Sequence, residues 1–372
     1  MILRIALSGL ILAAGLAAQT VPEKFVVSGK AAEKLQDFTT INLATAEAIA
    51  SACVKAATDQ KVGITIMVLD NNGNHVYLDR MDGQTYLGII TSEMKARTAL
   101  MAREPSKARM NEVTQDPTIE IPLMQLGYFA NSGGLPIVVN KQLIGAVGVG
   151  GSAPRVPVWS DEICAHQALT QVIGPSVAPL IKDLPGRRTQ NPGTTPVPRF
   201  ASATTPKSSL PSDWVVSGKD AQTVLDATQI SLGAAKKIAR TCRDWAAAKG
   251  TGMSLYVIDD EGEYVHIERA DGQTADDVRT ALLKAQTALK TKQPTSIRAA
   301  QLKNDPSGIP RQNVYYNFYT ASGGLPIVVD GQMIGAMGVS GVEGGADEAC
   351  AIEGLKATFA EHVTLPVYPA AR

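Results

Sequence analysis

Residues 68–85 read VLDNNGNHVYLDRMDGQT, and residues 257–274 read VIDDEGEYVHIERADGQT. The offset is 189 for Asp70/Asp259, Gly73/Gly262, Arg80/Arg269 and Asp82/Asp271, and also for Cys53/Cys242, Lys95/Lys284 and Pro105/Pro294. A register held over that distance does not arise from composition, so the chain is one domain written twice. Further on the copies slip by one residue: Ser132-Gly133-Gly134-Leu135-Pro136 recurs as Ser322-Gly323-Gly324-Leu325-Pro326. The period far exceeds the roughly 20–50 residues of solenoid repeats, so each copy is expected to own a core.

Within a copy, local chemistry spells out the elements. Leu43, Ala46, Ala50, Cys53 and Ala57 share one helical face, as do Leu232, Ala235, Ala239, Cys242 and Ala246. A strand at 64–69 or 254–258 follows. Asp70-Asn71-Asn72-Gly73 and Asp259-Asp260-Glu261-Gly262 then supply turn residues, and an alternating strand completes a hairpin. Asp82-Gly83 and Asp271-Gly272 lead into an alanine-bearing helix with Lys95 or Lys284, which Pro105 or Pro294 should end. A second hairpin follows, with strands at 136–139 and 144–149, or at 326–329 and 334–339. A terminal helix starts near Asp161 or Asp347, acids suited to a helix N-terminus. Antiparallel hairpins with helices packed on them make an α+β domain.

The order strand, DxxG, strand, RxDG, KAxTA helix, SGGLPI, IGAxGV and a final DExCA helix resembles the GlcG/HbpS-like haem-binding family and the C-terminal domain of PduO-type proteins. The residues that carry it are Arg80-Met81-Asp82-Gly83, Lys95-Ala96, Gly133-Gly134, Gly145 and Gly148. In the second copy they are Arg269, Asp271-Gly272, Lys284-Ala285, Gly323-Gly324, Gly335 and Gly338. The resemblance implies a profilin-like fold for both copies, self-association into oligomers, and haem binding in some members. The first copy departs from it after Gly148-Val149-Gly150-Gly151, where an insert carries Pro154, Pro157 and Trp159.

Bulk properties narrow the partners. Lys and Arg total 35 and so do Asp and Glu, which disfavours nucleic acid and anionic membrane surfaces because both reward a basic face. Residues 1–19 have a basic flank at Arg4, a short apolar run and a small-residue site at Ala17-Ala18-Gln19, the layout of a secretory signal peptide. The run is too short to span a bilayer, and no later segment is apolar enough to insert. The expected domains are 21–184 and 213–372, joined by a mobile Pro/Thr/Ser-rich linker at 185–212. Export to the periplasm or the extracellular space makes the cysteines informative. Cys53 with Cys164, and Cys242 with Cys350, are expected to form one disulfide per domain, with four inert buried thiols as the alternative.

Candidate site residues fall into four groups. His75 and Tyr77 lie two apart on a strand, hence on one face, and Tyr264 and His266 repeat the pair reversed. Both residue types ligate haem iron, so these four are candidate metal ligands; the alternative is a solvated strand face, which Asp79 and Glu268 support. Lys95 and Lys284 sit among small residues and could reach into a pocket toward a haem propionate, or else lie along the surface. Gly133-Gly134 and Gly323-Gly324 offer either backbone N–H groups to an anion or a tight strand entry. Tyr128 and Phe318, each in a short aromatic cluster, offer a stacking face for a planar ligand, or simply core.

No GxSxG, HExxH, P-loop or dinucleotide fingerprint is present, so a conventional hydrolase is disfavoured. The expected function is binding of haem or another small planar tetrapyrrole by an exported protein, for capture, buffering or sensing. An alternative is an enzyme or binding protein for a small carboxylate or hydroxy acid, oriented by Lys95/Lys284 and Arg80/Arg269. A third is an oligomerisation scaffold. The two copies are expected to pair within one chain, since a linker raises their mutual concentration to about the millimolar range, and further homo-oligomers would build on that pair.

Overall fold

The structure is a computed structural model that describes residues 21–152, 159–182, 184, 204–304, 309–343 and 346–367. The expected leader, the insert prolines and the expected linker as far as residue 203 lie outside the described residues. The first repeat runs α1 (Gly29–Leu35), α2 (Leu43–Asp59), β1 (Thr65–Asp70), β2 (His75–Arg80), α3 (Tyr86–Ala102), α4 (Ser106–Gln115), α5 (Glu120–Gln125), β3 (Gly134–Val139), β4 (Gln142–Gly150) and α6 (Asp161–Val172). The second runs α7 (Gly218–Val224), α8 (Leu232–Ala247), β5 (Ser254–Asp259), β6 (Tyr264–Arg269), α9 (Ala275–Thr291), α10 (Thr295–Asn304), α11 (Ile309–Tyr316), β7 (Gly324–Val329), β8 (Gln332–Ser340) and α12 (Asp347–Phe359). Both repeats are thus α+β, with the same order of elements.

Helix starts follow capping chemistry. The Asn42 side chain accepts from the Thr45 N–H ahead of α2, and Ser231 accepts from Ala234 ahead of α8. Thr274 and Asp277 form a reciprocal capping box at α9. The apolar faces of α2 and α6, and of α8 and α12, cover one side of the sheet, and a disulfide staples each pair: Cys53–Cys164 and Cys242–Cys350. Leu210, within the expected linker, is buried in the second of these cores.

The sheet is continuous. Its eight strands run β3-β4-β1-β2-β6-β5-β8-β7, all antiparallel, and the repeats join where β2 meets β6 through Tyr77↔Glu268, Leu78↔Ile267 and Asp79↔His266. Pro136 and Pro326 lie on the outermost strands, where a missing N–H does least harm. On the α2/α8 side each repeat owns its core. On the α3/α9 side one core spans both, with Met67, Leu78 and Ile89 packed in the same cluster as Tyr256, Ile267 and Val278. The expectation that each copy is self-contained therefore holds for one face only. Joining the sheet removes a pair of edge strands from solvent and closes the second core.

Candidate functional site

The shared motif residues converge on the β2–β6 seam. Asp70 Oδ1 accepts from the Asn72 and Asn74 amides and so shapes its own hairpin turn, while its Oδ2 receives Arg269 of the other repeat at 2.6 Å. The mirror arrangement holds: Asp259 Oδ1 accepts from the Glu261 and Glu263 amides, and Oδ2 receives Arg80 at 2.8 Å. Asp82 accepts from the Leu232 N–H and caps α8; Asp271 accepts from the Leu43 N–H and caps α2, each at 2.8 Å. DxxG and RxDG are therefore a reciprocal clamp between repeats. All four charges of the two ion pairs are buried, so Arg80 and Arg269 do not present themselves to a carboxylate ligand.

The His/Tyr pairs are divided between the faces of the sheet, which corrects the shared-face reading. A β-bulge causes this. Leu69 pairs with His75 and Val68 with Tyr77, so Val76 is the extra residue and the two-residue alternation breaks between them. Ile258↔Tyr264 and Val257↔His266 repeat the break. On the α3/α9 face His75 meets Tyr264 edge-on and bonds the Tyr256 hydroxyl through Nδ1 at 2.9 Å, with Nε2 3.2 Å from Glu93. Burial raises the Glu93 carboxyl, but His75 and Arg97 outweigh it and hold the group at about 2. On the α2/α8 face Tyr77 meets His266 edge-on, ring centres 5.1 Å apart. The reversal seen in sequence is thus complementarity: across the pseudo-two-fold axis each histidine faces a tyrosine.

Around His266 lies a buried charge network. Its Nδ1 is 2.8 Å from Asp79 and its Nε2 is 3.0 Å from Glu268. Lys236 on α8 bonds Asp79, and Arg243 on α8 joins Glu268 to Glu47 on α2. Burial opposes the imidazolium, yet the hydrogen bonds and charges of Asp79 and Glu268 lift its pKa to about 9. The same contacts pull both carboxyls below their usual range against burial. Asp79 and Glu268 are therefore interior groups, not a solvated face. Both His266 nitrogens are engaged, and Tyr77 and His266 are fully buried, so this pair faces the seam and not a ligand. Sequence reasoning passed over Glu47, Lys236 and Arg243. The one signal was the sign change at equivalent positions, Glu47 against Lys236.

Lys95 and Lys284 also turn inward. Lys95 Nζ donates to the Val149 carbonyl at 2.9 Å and to Asp161 Oδ2 at 2.7 Å; Lys284 does the same with Val339 and Asp347. The other oxygen of Asp161 accepts from the Ser152 N–H, and that of Asp347 from Val342. Each lysine thus ties the long helix, the last strand and the terminal helix together. The paired glycines serve close packing. A Cβ on Gly134 or Gly324 would strike the Lys95 or Lys284 backbone carbonyl, and Gly133 and Gly323 adopt φ near 117° beneath Asp161 and Asp347. The tight-entry reading applies, and no anion nest is open there.

The aromatic clusters do reach the surface. Thr98 and Thr287 hydroxyls accept from the Phe129 and Tyr319 amides at 2.8 Å, fixing the segment after α5 and α11 against the long helices. Tyr128 lies under Arg109 and Phe318 under Arg298. Just before them project Ile121, Met124 and Leu126 (67% exposed) in the first repeat, and Val314, Tyr315 (85%) and Tyr316 (58%) in the second. Met101 adjoins the first of these ledges through Gly127. Among the described residues no group of three or more His, Cys, Asp or Glu side chains could hold a metal ion by itself.

The family model for "Haem degrading protein HbpS-like" matches residues 41–170 and 230–356. A 15.0 kDa uncharacterized protein of the dhaT-dhaS intergenic region of Citrobacter freundii is 32% identical over 142 residues, 37% of this chain and 94% of that protein. GlcG of Escherichia coli K12 is 35% identical over 106 residues, 28% of this chain and 76% of GlcG. The crystal structure of Klebsiella pneumoniae ORFY is 33% identical and covers 36% of this chain and 91% of that one, with a TM-score of 0.31. The chain belongs to the HbpS-like family and carries the family domain as two tandem copies.

Proposed function

We propose that this is an exported protein that binds haem or a related tetrapyrrole on the two aromatic and apolar ledges, for capture, buffering or sensing. The observation that carries the reading is the exposure of large apolar side chains at matching places in both repeats: Ile121, Met124 and Leu126 on one, Val314, Tyr315 and Tyr316 on the other. Exposed apolar groups clustered in this way mark a binding surface. Their donor chemistry fits haem, since thioether (Met101, Met124) and phenol (Tyr315, Tyr316) are both axial-ligand types. Tyr128 and Phe318 form the inner edge of each ledge. His75, Tyr77, Tyr264 and His266 fit less well, being buried or committed to the seam. Bound haem would supply a redox-active iron; the chain's part is to hold the ring flat and partly out of water. The predicted leader and the two disulfides support export. Among the described residues no helix is long and apolar enough to cross a membrane. A small-carboxylate site built on Arg80, Arg269, Lys95 and Lys284 gains no support, because each already holds an internal carboxylate.

Titrating haemin into micromolar protein and following the Soret band tests the proposal. Saturable, shifted spectra are expected, with one component lost in Tyr315→Ala/Tyr316→Ala and the other in Met101→Ala/Met124→Ala. A free-haemin spectrum unchanged by the protein would overturn it.

A further inference from the structure

We infer that the first repeat carries a separate site for a small, multiply charged anion of the carboxylate or phosphate class, in the cleft between the β3–β4 turn and the C-terminus of α3. The cleft has a volume of about 410 Å³ and is lined by Asn71, Arg103, Val138, Lys141, Gln142 and Leu143, a size suited to a small molecule. Two of its six lining residues are cations, in a chain whose charges balance overall. The acid next to Arg103 is not its partner, since Glu104 is bound to Arg109.

Backbone strain points the same way. Asn140 and Lys141 form the two-residue β3–β4 turn with φ of 50° and 67°. Arg103 closes α3 at φ 57° just as Lys292 closes α9 at φ 56°, so only Lys141 is distinctive, and lysine enters this left-handed region reluctantly. The second repeat has Gly331 where the first has Lys141, and a Cβ on Gly331 would meet nothing within 4 Å. The two-residue hairpin itself requires positive φ at both central residues, and the second repeat meets that need with glycine. The first repeat instead keeps an exposed lysine at the position where glycine carries less strain, which places a cation at the cleft. Asn71 forms the opposite wall. Its amide is fixed by Asp37, Thr39 and Thr40, and Thr39 and Thr40 also donate to Asp37, so that carboxylate is already well bonded.

The second repeat supplies the contrast. There Asp260 stands at the position of Asn71, Gly331 at that of Lys141 and Lys292 at that of Arg103. One cation fewer and one carboxylate more do not make an anion site, so binding belongs to the first repeat alone.

The test uses the full chain, isotope-labelled, with citrate and inorganic phosphate titrated separately at low ionic strength and read from backbone amide shifts. Saturable shifts are expected at residues 71, 103 and 140–143. Citrate alone, phosphate alone or both acting there each supports the site and sets its class. Lys141→Gly should weaken binding about tenfold or more, as loss of one charge-assisted hydrogen bond does, while its melting temperature stays level or rises because the left-handed strain is relieved. Arg103→Gly should behave likewise. No saturable shift with either anion, undiminished affinity in Lys141→Gly, or an equal response at the 329–332 turn would overturn the inference. Haem binding on the ledges is unaffected by any of these outcomes.

Discussion

Replacing His266 by phenylalanine isolates the contribution of the seam's buried cation. Phenylalanine keeps an aromatic ring beside Tyr77 but removes the hydrogen bonds to Asp79 and Glu268. The imidazolium pKa rises from 6.5 to about 9 on folding, which at roughly 1.4 kcal/mol per unit corresponds to about 3 kcal/mol. Breaking a buried ion pair costs about 3–5 kcal/mol. The lower end applies because Lys236 and Arg243 still hold the two carboxylates. The sign follows from the raised pKa. The contribution is complete below about pH 6.5, where both folded and unfolded forms carry the proton, and is lost as pH rises toward 9. Urea unfolding followed by circular dichroism at pH 6, 7.5 and 9 should show the variant about 3 kcal/mol less stable at pH 6. The native chain should lose stability across this window, while the variant stays nearly flat and the two converge. Parallel pH profiles, or a difference below about 1 kcal/mol at pH 6, would show that His266 is not the cation the network depends on.

Arg80→Met leaves Asp259 buried without its partner and should cost about 3–5 kcal/mol in thermal melts. Adding Asp259→Asn should recover part of this, because the amide oxygen can still accept from the turn; a double variant no better than the single one would refute the pairing. The Cys53–Cys164 bridge closes 111 residues of sequence. Its loss in Cys53→Ala/Cys164→Ala should destabilise the fold by about 4–5 kcal/mol on the chain-entropy account, and an unchanged melting temperature would contradict that.

Much was legible from residue order alone. The 189-residue register identified the duplication. Apolar spacing in 43–57 and 232–246 located α2 and α8, and the Asp-Asn-Gly turns located the hairpins. The cysteines on the inner faces of α2 and α6 pointed to the bridges that form. These features are local, or they repeat, and so they leave a periodic trace. The destinations of the motif side chains did not. A single bulged residue, Val76 or Val265, reverses which face the following residues take, and strand alternation carries no record of it. Arg80 and Asp70 each find their charge in the other repeat, and Lys95 finds Asp161 on the terminal helix. Such pairings exist only once β2 lies against β6 and α3 against β4. Sequence by itself determined that there are two copies of an α+β domain, where their elements lie and which cysteines could meet. Tertiary structure alone decided that the copies share one sheet and that their most distinctive charged residues hold it together, because burial selects the partner of a charge and burial is a property of the assembled chain.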